Sequence, residues 1–257
     1  DSYKNVIVQI AALGLGIVAY ILMSMLDLNE IGKHWKWLLG GSLVLILLLK
    51  TPLGMDGGTG NRAWLGIKNF PVNLQPVEIV KITFIIALAR QLQYLQEQRD
   101  LKSIPSVGML AGHLMLVVGL YAAISGDMGS ALVLIFIFAC MCFVAGVAKR
   151  WFVLGLLGGG FAFYVLWETD KIAPYMKDRF LTLFDHDLDP MGIGWQQTRS
   201  LLALGGGKLT GQGLFNGTQT QSASAWSLPA RHTDFIFSVI GEELGLLGCL
   251  LTILLLA

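Results

Sequence analysis

The sequence predicts an all-α membrane protein, a polytopic bundle of transmembrane helices with a long extracytoplasmic loop region. Of its 257 residues, 54% are hydrophobic and only 14% are charged, and the mean hydropathy is +0.65. The apolar residues form continuous runs of roughly 20 residues, the length with which a helix crosses a bilayer. Because the runs are continuous and do not alternate with polar residues, they indicate helices and not outer-membrane strands.

Seven such runs are predicted to span the membrane. They are Asn5–Leu26, His34–Leu49, Val77–Leu95, Ile104–Ile124, Met128–Val147, Trp151–Trp167 and Phe235–Ala257. The chain begins without a methionine and ends inside an apolar run, so we expect it to be a piece of a longer protein.

Lysine and arginine residues near the span ends predict the orientation, because cytoplasmic connections are enriched in both. Those that fall on one side are Lys33, Lys36, Arg90, Arg99, Lys102, Lys149 and Arg150. With that side in the cytoplasm, residues 168–233 form a large extracytoplasmic segment within a single membrane domain, residues 1–257. Because the segment keeps aromatic and apolar residues, we expect a folded cap on the membrane and not a disordered linker.

Charge and cysteine content exclude two classes of function. The net charge of +1 leaves no basic excess for a nucleic-acid partner. The three cysteines lie in apolar runs without further ligands at metal spacing, so we expect them to pack as small hydrophobic residues.

Glu78 and Lys81 lie three residues apart at the start of the third span, so on a helix they share a face and can pair. Ionisable groups at membrane depth normally face the protein interior. The residues alone leave two interpretations open: a buried ion pair that fixes helix packing, or part of a substrate site.

Asp234 lies where the long extracytoplasmic segment enters the last span, directly after Arg231, His232 and Thr233. This position favours a helix N-cap, because an aspartate there accepts backbone N–H bonds and the helix dipole favours a carboxylate.

Three further carboxylates lie inside or between apolar runs. Glu242 and Glu243 are adjacent within the last span, so at least one is expected to face a polar interior. Asp127 lies between two spans with almost no room for a loop, which favours a turn with an aspartate cap on the next helix. His113, inside a span, is interpreted as a hydrogen-bonded packing residue.

Four groups of motif residues follow one another along the chain. They are Asn61-Arg62-Ala63-Trp64-Leu65 with Gln75-Pro76-Val77-Glu78 and Lys81; Gly126-Asp127-Met128-Gly129-Ser130-Ala131-Leu132; Asp189-Pro190-Met191-Gly192 with Gln197, Gly211-Gln212-Gly213-Leu214 and Gly217-Thr218-Gln219; and His232-Thr233-Asp234-Phe235-Ile236-Phe237 with Gly241-Glu242-Glu243-Leu244-Gly245. Together they resemble the SEDS family (shape, elongation, division and sporulation), and residues 217–219 favour its RodA-like branch. The family has about ten transmembrane helices, so the chain would hold seven of them, the second through the eighth.

What the resemblance implies is a peptidoglycan glycosyltransferase of the bacterial cytoplasmic membrane, which polymerises lipid II at the outer face during elongation, division or sporulation. Asp234 matches the family's essential aspartate and takes the role of general base, with metal coordination as a second interpretation. The leaving pyrophosphate calls for Arg62, Arg231 or a divalent cation, Mg²⁺ or Mn²⁺. No organic cofactor is implied, and the implied partners are lipid II, membrane lipids and a class B penicillin-binding protein.

The remaining motif residues are assigned to two groups. Those expected to contact the substrate are Arg62, Trp64, Glu78, Lys81, Arg231 and His232. Those expected to be structural or to line the cavity are Asp127, Glu242 and Glu243. Trp64 is expected either to stack on a sugar face or to anchor the chain at the membrane interface.

Two alternatives from other functional classes stay open. One is a carrier that flips a lipid-linked sugar across the membrane, since charged residues inside spans also mark transport pathways. A carrier should place such residues near the midplane of repeat-related helices, and the sequence has no internal repeat. The other is a non-catalytic scaffold for a penicillin-binding protein.

Overall fold

The computed structural model of the chain describes residues 2–56, 61–66, 73–169, 174–182, 193–222 and 227–257. The helices in these ranges are α1 (Ser2–Ser24), α2 (Leu28–Lys33), α3 (Trp35–Leu48), α4 (Pro76–Gln98), α5 (Ile104–Leu114), α6 (Leu120–Ser125), α7 (Met128–Val144), α8 (Lys149–Glu168), α9 (Pro174–Thr182), α10 (Ile193–Gly206) and α11 (Ile236–Leu256). A π-helical turn, Met115–Gly119, joins α5 to α6. Two short strands, β1 (Gly54–Met55) and β2 (Trp64–Leu65), pair in antiparallel fashion.

Helices form at all seven predicted span positions. Within the described residues, four stretches are long and apolar enough to cross a membrane: Val6–Ser24, Ile104–Ser125, Lys149–Glu168 and Ile236–Leu256. The apolar helices α3 and α7 are shorter, and α4 has 23 residues but carries four charged side chains. The prediction of an all-α, multi-pass membrane protein is confirmed. That α3, α4 and α7 also cross the membrane stays a prediction.

The chain divides into two compact units, Asp1–Gly159 and Gly160–Ala257. The boundary falls within α8, and the single membrane domain that the sequence predicts stays a prediction. In the described part of residues 168–233, α9, α10 and hydrogen-bonded turns form, as expected of a folded segment. The motif at residues 189–192 lies outside the described residues.

In the first unit, α4 is the central helix and packs against α2, α3, α5 and α7. Its buried face carries apolar residues at helical spacing: Val77, Val80, Phe84, Leu88, Leu92 and Leu95. Polar side chains also bond between helices. The hydroxyl oxygens of Ser42 and Thr83 lie 2.6 Å apart, and His113 Nδ1 lies 2.7 Å from Gln91 Oε1. His113 is therefore a hydrogen-bonded packing residue, as predicted.

In the second unit, α10 packs closely against α11. The hydroxyl oxygens of Ser200 and Ser238 lie 2.6 Å apart across this contact. A Cβ added to Gly207 would overlap the carbonyl oxygen of Gly241. Small residues of this kind let the backbones of membrane helices approach each other.

The helix α11 is interrupted at Gly245, whose φ of 68° and ψ of −165° are not helical. Residues 208–213, named here the inserted loop, fill this break. Four backbone hydrogen bonds join loop and helix: Gln212 N–H donates to Glu242 C=O at 2.9 Å, Gly213 N–H to Glu243 C=O at 3.0 Å, Leu246 N–H to Lys208 C=O at 2.9 Å, and Leu247 N–H to Leu209 C=O at 3.2 Å. The backbone groups that the break leaves without helical partners are therefore satisfied by protein, as the interior of a membrane requires.

We expect Gly245→Ala to lower the unfolding free energy by about 2 kcal/mol or more, because this region of φ and ψ is open essentially to glycine alone. The added Cβ would also lie 2.6 Å from the carbonyl oxygen of Leu209. The apparent melting temperature in detergent measures the effect. Gly205→Ala in α10 is the matched control, since nothing lies within 4 Å of its Cβ position, and it should leave stability unchanged or slightly higher. Equal melting temperatures for both variants would contradict the strain at Gly245.

Candidate functional site

Glu242 in α11 is fully buried, and its carboxylate is bound by residues 217–221, named here the anchored loop. Oε1 accepts hydrogen bonds from the Thr218 hydroxyl at 3.1 Å and the Gln219 N–H at 2.8 Å. Oε2 accepts from the Thr220 N–H at 2.9 Å and the Thr220 hydroxyl at 2.6 Å. No lysine or arginine in the described ranges forms an ion pair with Glu242. Hydrogen bonds from neutral groups therefore replace the water that this carboxylate loses on burial.

Glu243 is 5% exposed and is bound by the same loop. Its Oε1 accepts a hydrogen bond from the side-chain amide of Gln221 at 2.5 Å. Both carboxylates of the last span thus face a polar protein interior, which confirms the expectation for this pair.

Asp234 is exposed, and its expected role as the N-cap of the last helix is wrong. The helix begins at Ile236, and the cap position is taken by Phe235, which makes no side-chain cap bond. A preceding turn explains the difference. The N–H groups of Thr233, at 3.0 Å, and Phe235, at 3.3 Å, both donate to the carbonyl of Ala230, so the chain turns through Asp234 before the helix starts.

Arg231 and His232 lie three and two residues before Asp234 in the sequence. The Nη1 of Arg231 donates to the carbonyl oxygen of Thr220 in the anchored loop, and its Nε lies 3.4 Å from His232 Nε2. His232 is exposed. Arg231 therefore ties the residues before Asp234 to the loop that Glu242 binds.

Asp127 caps α7, as predicted, in a turn where Gly126 has a φ of +73°. Its carboxylate accepts hydrogen bonds from the Ser130 N–H at 3.2 Å, the Ser130 hydroxyl at 2.6 Å and the Tyr121 hydroxyl at 3.0 Å. Burial raises the pKa of Asp127, but these bonds and one from the Gly129 N–H outweigh burial and hold the pKa below its usual value.

Glu78 and Lys81 form the predicted ion pair, with 2.8 Å between Oε2 and Nζ. Their side chains are 57% and 27% exposed, respectively. The pair is therefore not the buried pair that one interpretation required. The pair is not buried because Val77 and Val80 occupy the buried positions in the first turns of α4.

Arg62 and Trp64 lie in the short paired strands and beside them. Arg62 Nη2 donates to the carbonyl of Gly54 at 3.2 Å, and Trp64 pairs with Met55. Arg62 is exposed and Trp64 is partly buried. Sugar stacking and interfacial anchoring by Trp64 both stay predictions.

Within each unit, the structure brings motif residues together that are far apart in sequence. In the second unit, Glu242 and Arg231 meet at the anchored loop. In the first unit, a Cβ on Gly126 would lie 3.2 Å from Asn61 Oδ1, so the turn of Asp127 lies beside the motif of Arg62. Thr220 was not predicted as a hydrogen-bond donor to Glu242. The sequence did contain an indication of this contact, because two glutamates in an apolar span require donors and the segment before that span is rich in threonine and glutamine.

A divalent cation would have few ligands here. Across the parts of the chain that the structure describes, no three His, Cys, Asp or Glu side chains are grouped to hold a metal ion. Asp234 offers one carboxylate, which suits a cation that takes its other ligands from substrate phosphates and water.

An apolar groove of about 470 Å³ lies between α5, α7 and α8 in the first unit. Leu110, Phe138 and Trp151 are among its lining residues. None of the predicted site residues lines it, so the groove is not the candidate site.

Comparison with known sequences gives matches along the whole chain. Residues 1–257 match the family model of FtsW, RodA and SpoVE, described as cell cycle protein. The probable peptidoglycan glycosyltransferase FtsW of Haemophilus influenzae is 36% identical over 246 residues, which cover 92% of this chain and 59% of that protein. Stage V sporulation protein E of Bacillus subtilis is 31% identical over 269 residues, 99% of this chain and 67% of that protein.

Solved structures share the fold. A peptidoglycan synthase complex, described for the coordination of polymerisation and crosslinking, matches with a TM-score of 0.73 and 28% identity over 96% of this chain and 65% of that chain. The rod shape determining protein RodA of Thermus thermophilus matches with a TM-score of 0.60 and 28% identity over 96% of this chain and 60% of that one. The chain thus spans about three fifths of the length of the FtsW proteins that it matches.

We expect the cap at Asp127 to stabilise the protein in a pH-dependent way. An unfolded aspartate titrates near pH 4, and the folded pKa lies lower. The stabilisation is therefore complete above about pH 4 and is lost as the pH falls through the folded pKa. Asp127→Asn retains a capping side chain but loses charge-assisted bonds, and should lower the unfolding free energy by about 1 kcal/mol at pH 7.

Thermal unfolding in detergent between pH 7 and pH 3 checks this expectation. The difference in stability between the wild type and Asp127→Asn should shrink below about pH 4. A difference that stays constant over the whole range would contradict a lowered pKa at Asp127.

Proposed function

The chain belongs to the family of FtsW, RodA and SpoVE, and we propose that it carries the active site of a peptidoglycan glycosyltransferase. In this reaction the 4-hydroxyl of a GlcNAc in one lipid II attacks the anomeric carbon of a MurNAc in another. A C–O bond forms there as the bond to undecaprenyl pyrophosphate breaks, and the hydroxyl proton passes to a base. The curated name of the Haemophilus influenzae relative supports this reaction class.

The observation that carries the proposal is the state of Asp234. It is the one carboxylate of the last motif that is exposed, and its side chain has no hydrogen-bond or ion-pair partner among the residues described. Glu242 and Glu243 of the same motif are buried and bonded. A general base must reach the proton that it removes, and it needs a free lone pair. Asp234 meets both requirements.

The leaving pyrophosphate needs positive charge nearby. Arg231, three residues before Asp234, keeps guanidinium N–H groups beyond the one that binds Thr220. Arg62 stays the first candidate from the sequence for a positive charge beside the pyrophosphate. A divalent cation, Mg²⁺ or Mn²⁺, would add charge to the pyrophosphate, and Asp234 with phosphate oxygens would hold it.

The proposal also includes the membrane location of the protein and a partner protein. The distribution of lysine and arginine supports a cytoplasmic-membrane protein with residues 168–233 and Asp234 at the outer face, where a lipid-linked headgroup reaches the carboxylate. The match to a peptidoglycan synthase complex that polymerises and crosslinks supports a crosslinking partner, which we propose to be a class B penicillin-binding protein.

The break in α11 argues against the alternative that the protein is a carrier. Interrupted helices in transporters expose backbone groups to the cargo, whereas the inserted loop here takes up the carbonyls of Glu242 and Glu243. Both carboxylates are also bound by protein. Among the described residues, protein groups thus occupy both carbonyls and three of the four carboxylate oxygens at the break, which leaves few ligands for a transported group.

We expect Asp234→Asn in the full-length protein to abolish polymer formation, because an amide cannot accept the hydroxyl proton. The assay uses purified lipid II, Mg²⁺ and separation of glycan chains by length. Asp178→Asn is the matched control. It changes an exposed aspartate of α9 in the long segment before Asp234, whose side chain has no ion pair among the described residues, and it should retain wild-type polymer.

Three outcomes contradict the assignment in different ways. Wild-type polymer from Asp234→Asn removes this residue from the chemistry. Lipid II that moves between vesicle leaflets without polymer from the wild type favours the carrier. Polymer that forms only through an added penicillin-binding protein, and equally with Asp234→Asn, favours the scaffold.

We expect the double exchange Glu78→Lys with Lys81→Glu to fold normally and to reduce polymerisation at least about tenfold, since it keeps an ion pair but reverses the charges offered to the substrate. The pair Glu30 and Lys33 in α2 has the same spacing and a contact of 2.5 Å. Its exchange is the control and should leave the rate unchanged. A wild-type rate from the Glu78 and Lys81 exchange would show that the pair serves packing alone.

A further inference from the structure

We propose that Glu242 is a positioning residue for Asp234, which it holds in place through the anchored loop. The proposal rests on the proposed function, in which Asp234 is the base. Glu242 lies eight residues after Asp234, but the connection that matters runs through hydrogen bonds of residues 218–220 with Glu242 and with Leu228 and Arg231.

The anchored loop is shaped around the Glu242 carboxylate. Each oxygen accepts one backbone N–H and one hydroxyl, an arrangement that only a group with two acceptor oxygens can satisfy. The fit leaves no spare room, since a Cβ on Gly217 would lie 2.5 Å from Glu242 Oε2. Thr220 is itself fully buried. The conformation of this loop therefore depends on Glu242.

Two residues of the anchored loop hydrogen-bond both to Glu242 and to residues 227–235, named here the approach segment. Gln219 gives its N–H to Glu242 and accepts the Leu228 N–H at its carbonyl, at 2.9 Å. Thr220 gives its N–H to Glu242 and accepts Arg231 at its carbonyl. Leu228 is 1% exposed. The same two residues thus join the carboxylate on one side to the approach segment on the other.

The Asp234 side chain has no hydrogen bond or ion pair among the residues described, so its position depends on the backbone before and after it. On one side the chain turns at Ala230, whose φ is +47°, next to the contact of Arg231 with the loop. On the other side it enters α11, which carries Glu242. A closed circuit of covalent and hydrogen bonds therefore runs from Glu242 through the anchored loop and the approach segment to Asp234 and back along α11.

Glu242→Gln breaks this circuit at one point. The glutamine amide has one acceptor oxygen, and its NH₂ group faces the donors that the second carboxylate oxygen binds. Two donors of the anchored loop then lose their acceptor. A base that is displaced by about an ångström slows the chemical step up to about 100-fold. Substrate binding changes less, because four of the six residues expected to contact the substrate lie outside the approach segment: Arg62, Trp64, Glu78 and Lys81.

The test measures lipid II polymerisation by the full-length protein in detergent, together with hydrogen exchange of its backbone amides. For Glu242→Gln we expect kcat to fall about 10- to 100-fold, with KM within about threefold of the wild type. The amides of Gln219 and Thr220 should exchange at least about tenfold faster. Glu243→Gln is the matched control, because a glutamine oxygen still accepts the bond from Gln221, and both quantities should stay near wild type.

Two results would overturn the proposal: a wild-type kcat in Glu242→Gln despite faster exchange, or unchanged exchange at Gln219 and Thr220. If Glu242→Gln does not fold, Thr220→Val removes one hydroxyl bond to Glu242 and should show the same pattern on a smaller scale. If the wild type makes no polymer, the proposed function fails instead, and the exchange rates alone decide whether Glu242 orders the loop.

Discussion

The structure of the second unit depends on one constraint, the need to satisfy buried polar groups inside a membrane helix. The last helix contains two carboxylates and a backbone break, and water is not available in a bilayer to solvate either. The inserted loop supplies partners for the broken backbone at Gly245. The anchored loop supplies donors for Glu242 and Glu243. The described parts of the segment between α10 and α11 are therefore folded because the helix that follows them requires those partners.

The same constraint explains the position of α4 in the first unit. This helix is long but the least suited to contact lipid, because it carries charged residues and glutamines along its length. Some of its polar groups find partners on neighbouring helices, as the contacts of Thr83 with Ser42 and of Gln91 with His113 illustrate. The helices α1 and α8 have no buried residues in their spans and leave their side chains free to face lipid. The hydrogen bonds between helices thus favour a central position for α4.

These observations also show which features a sequence can predict. Local patterns predicted the seven helices, the cap at Asp127 and the pairing of Glu78 with Lys81, because each depends on residues within one or two helical turns. The partners of Glu242 were not predictable in this way, since they lie 22 to 24 residues away and are chosen by tertiary contact. The cap at Asp234 was predicted wrongly because a turn, hydrogen-bonded to the carbonyl of Ala230, precedes the helix. The helix therefore begins two residues after Asp234, and hydropathy does not indicate such turns.

The contrast between Asp234 and Glu242 assigns different tasks to two carboxylates of one motif. Glu242 accepts four hydrogen bonds, and taking up a proton would cost it at least one of those donors, so it is poorly suited to act as a base. Asp234 is exposed and has no such bonds to lose within the described residues. A carboxylate that is saturated by its own protein supports structure, and one left open to its surroundings is available for chemistry. Asp234 lies two residues before the helix that carries Glu242, and the anchored loop joins Glu242 to the approach segment. The geometry of the open carboxylate therefore depends on the order that the buried one imposes.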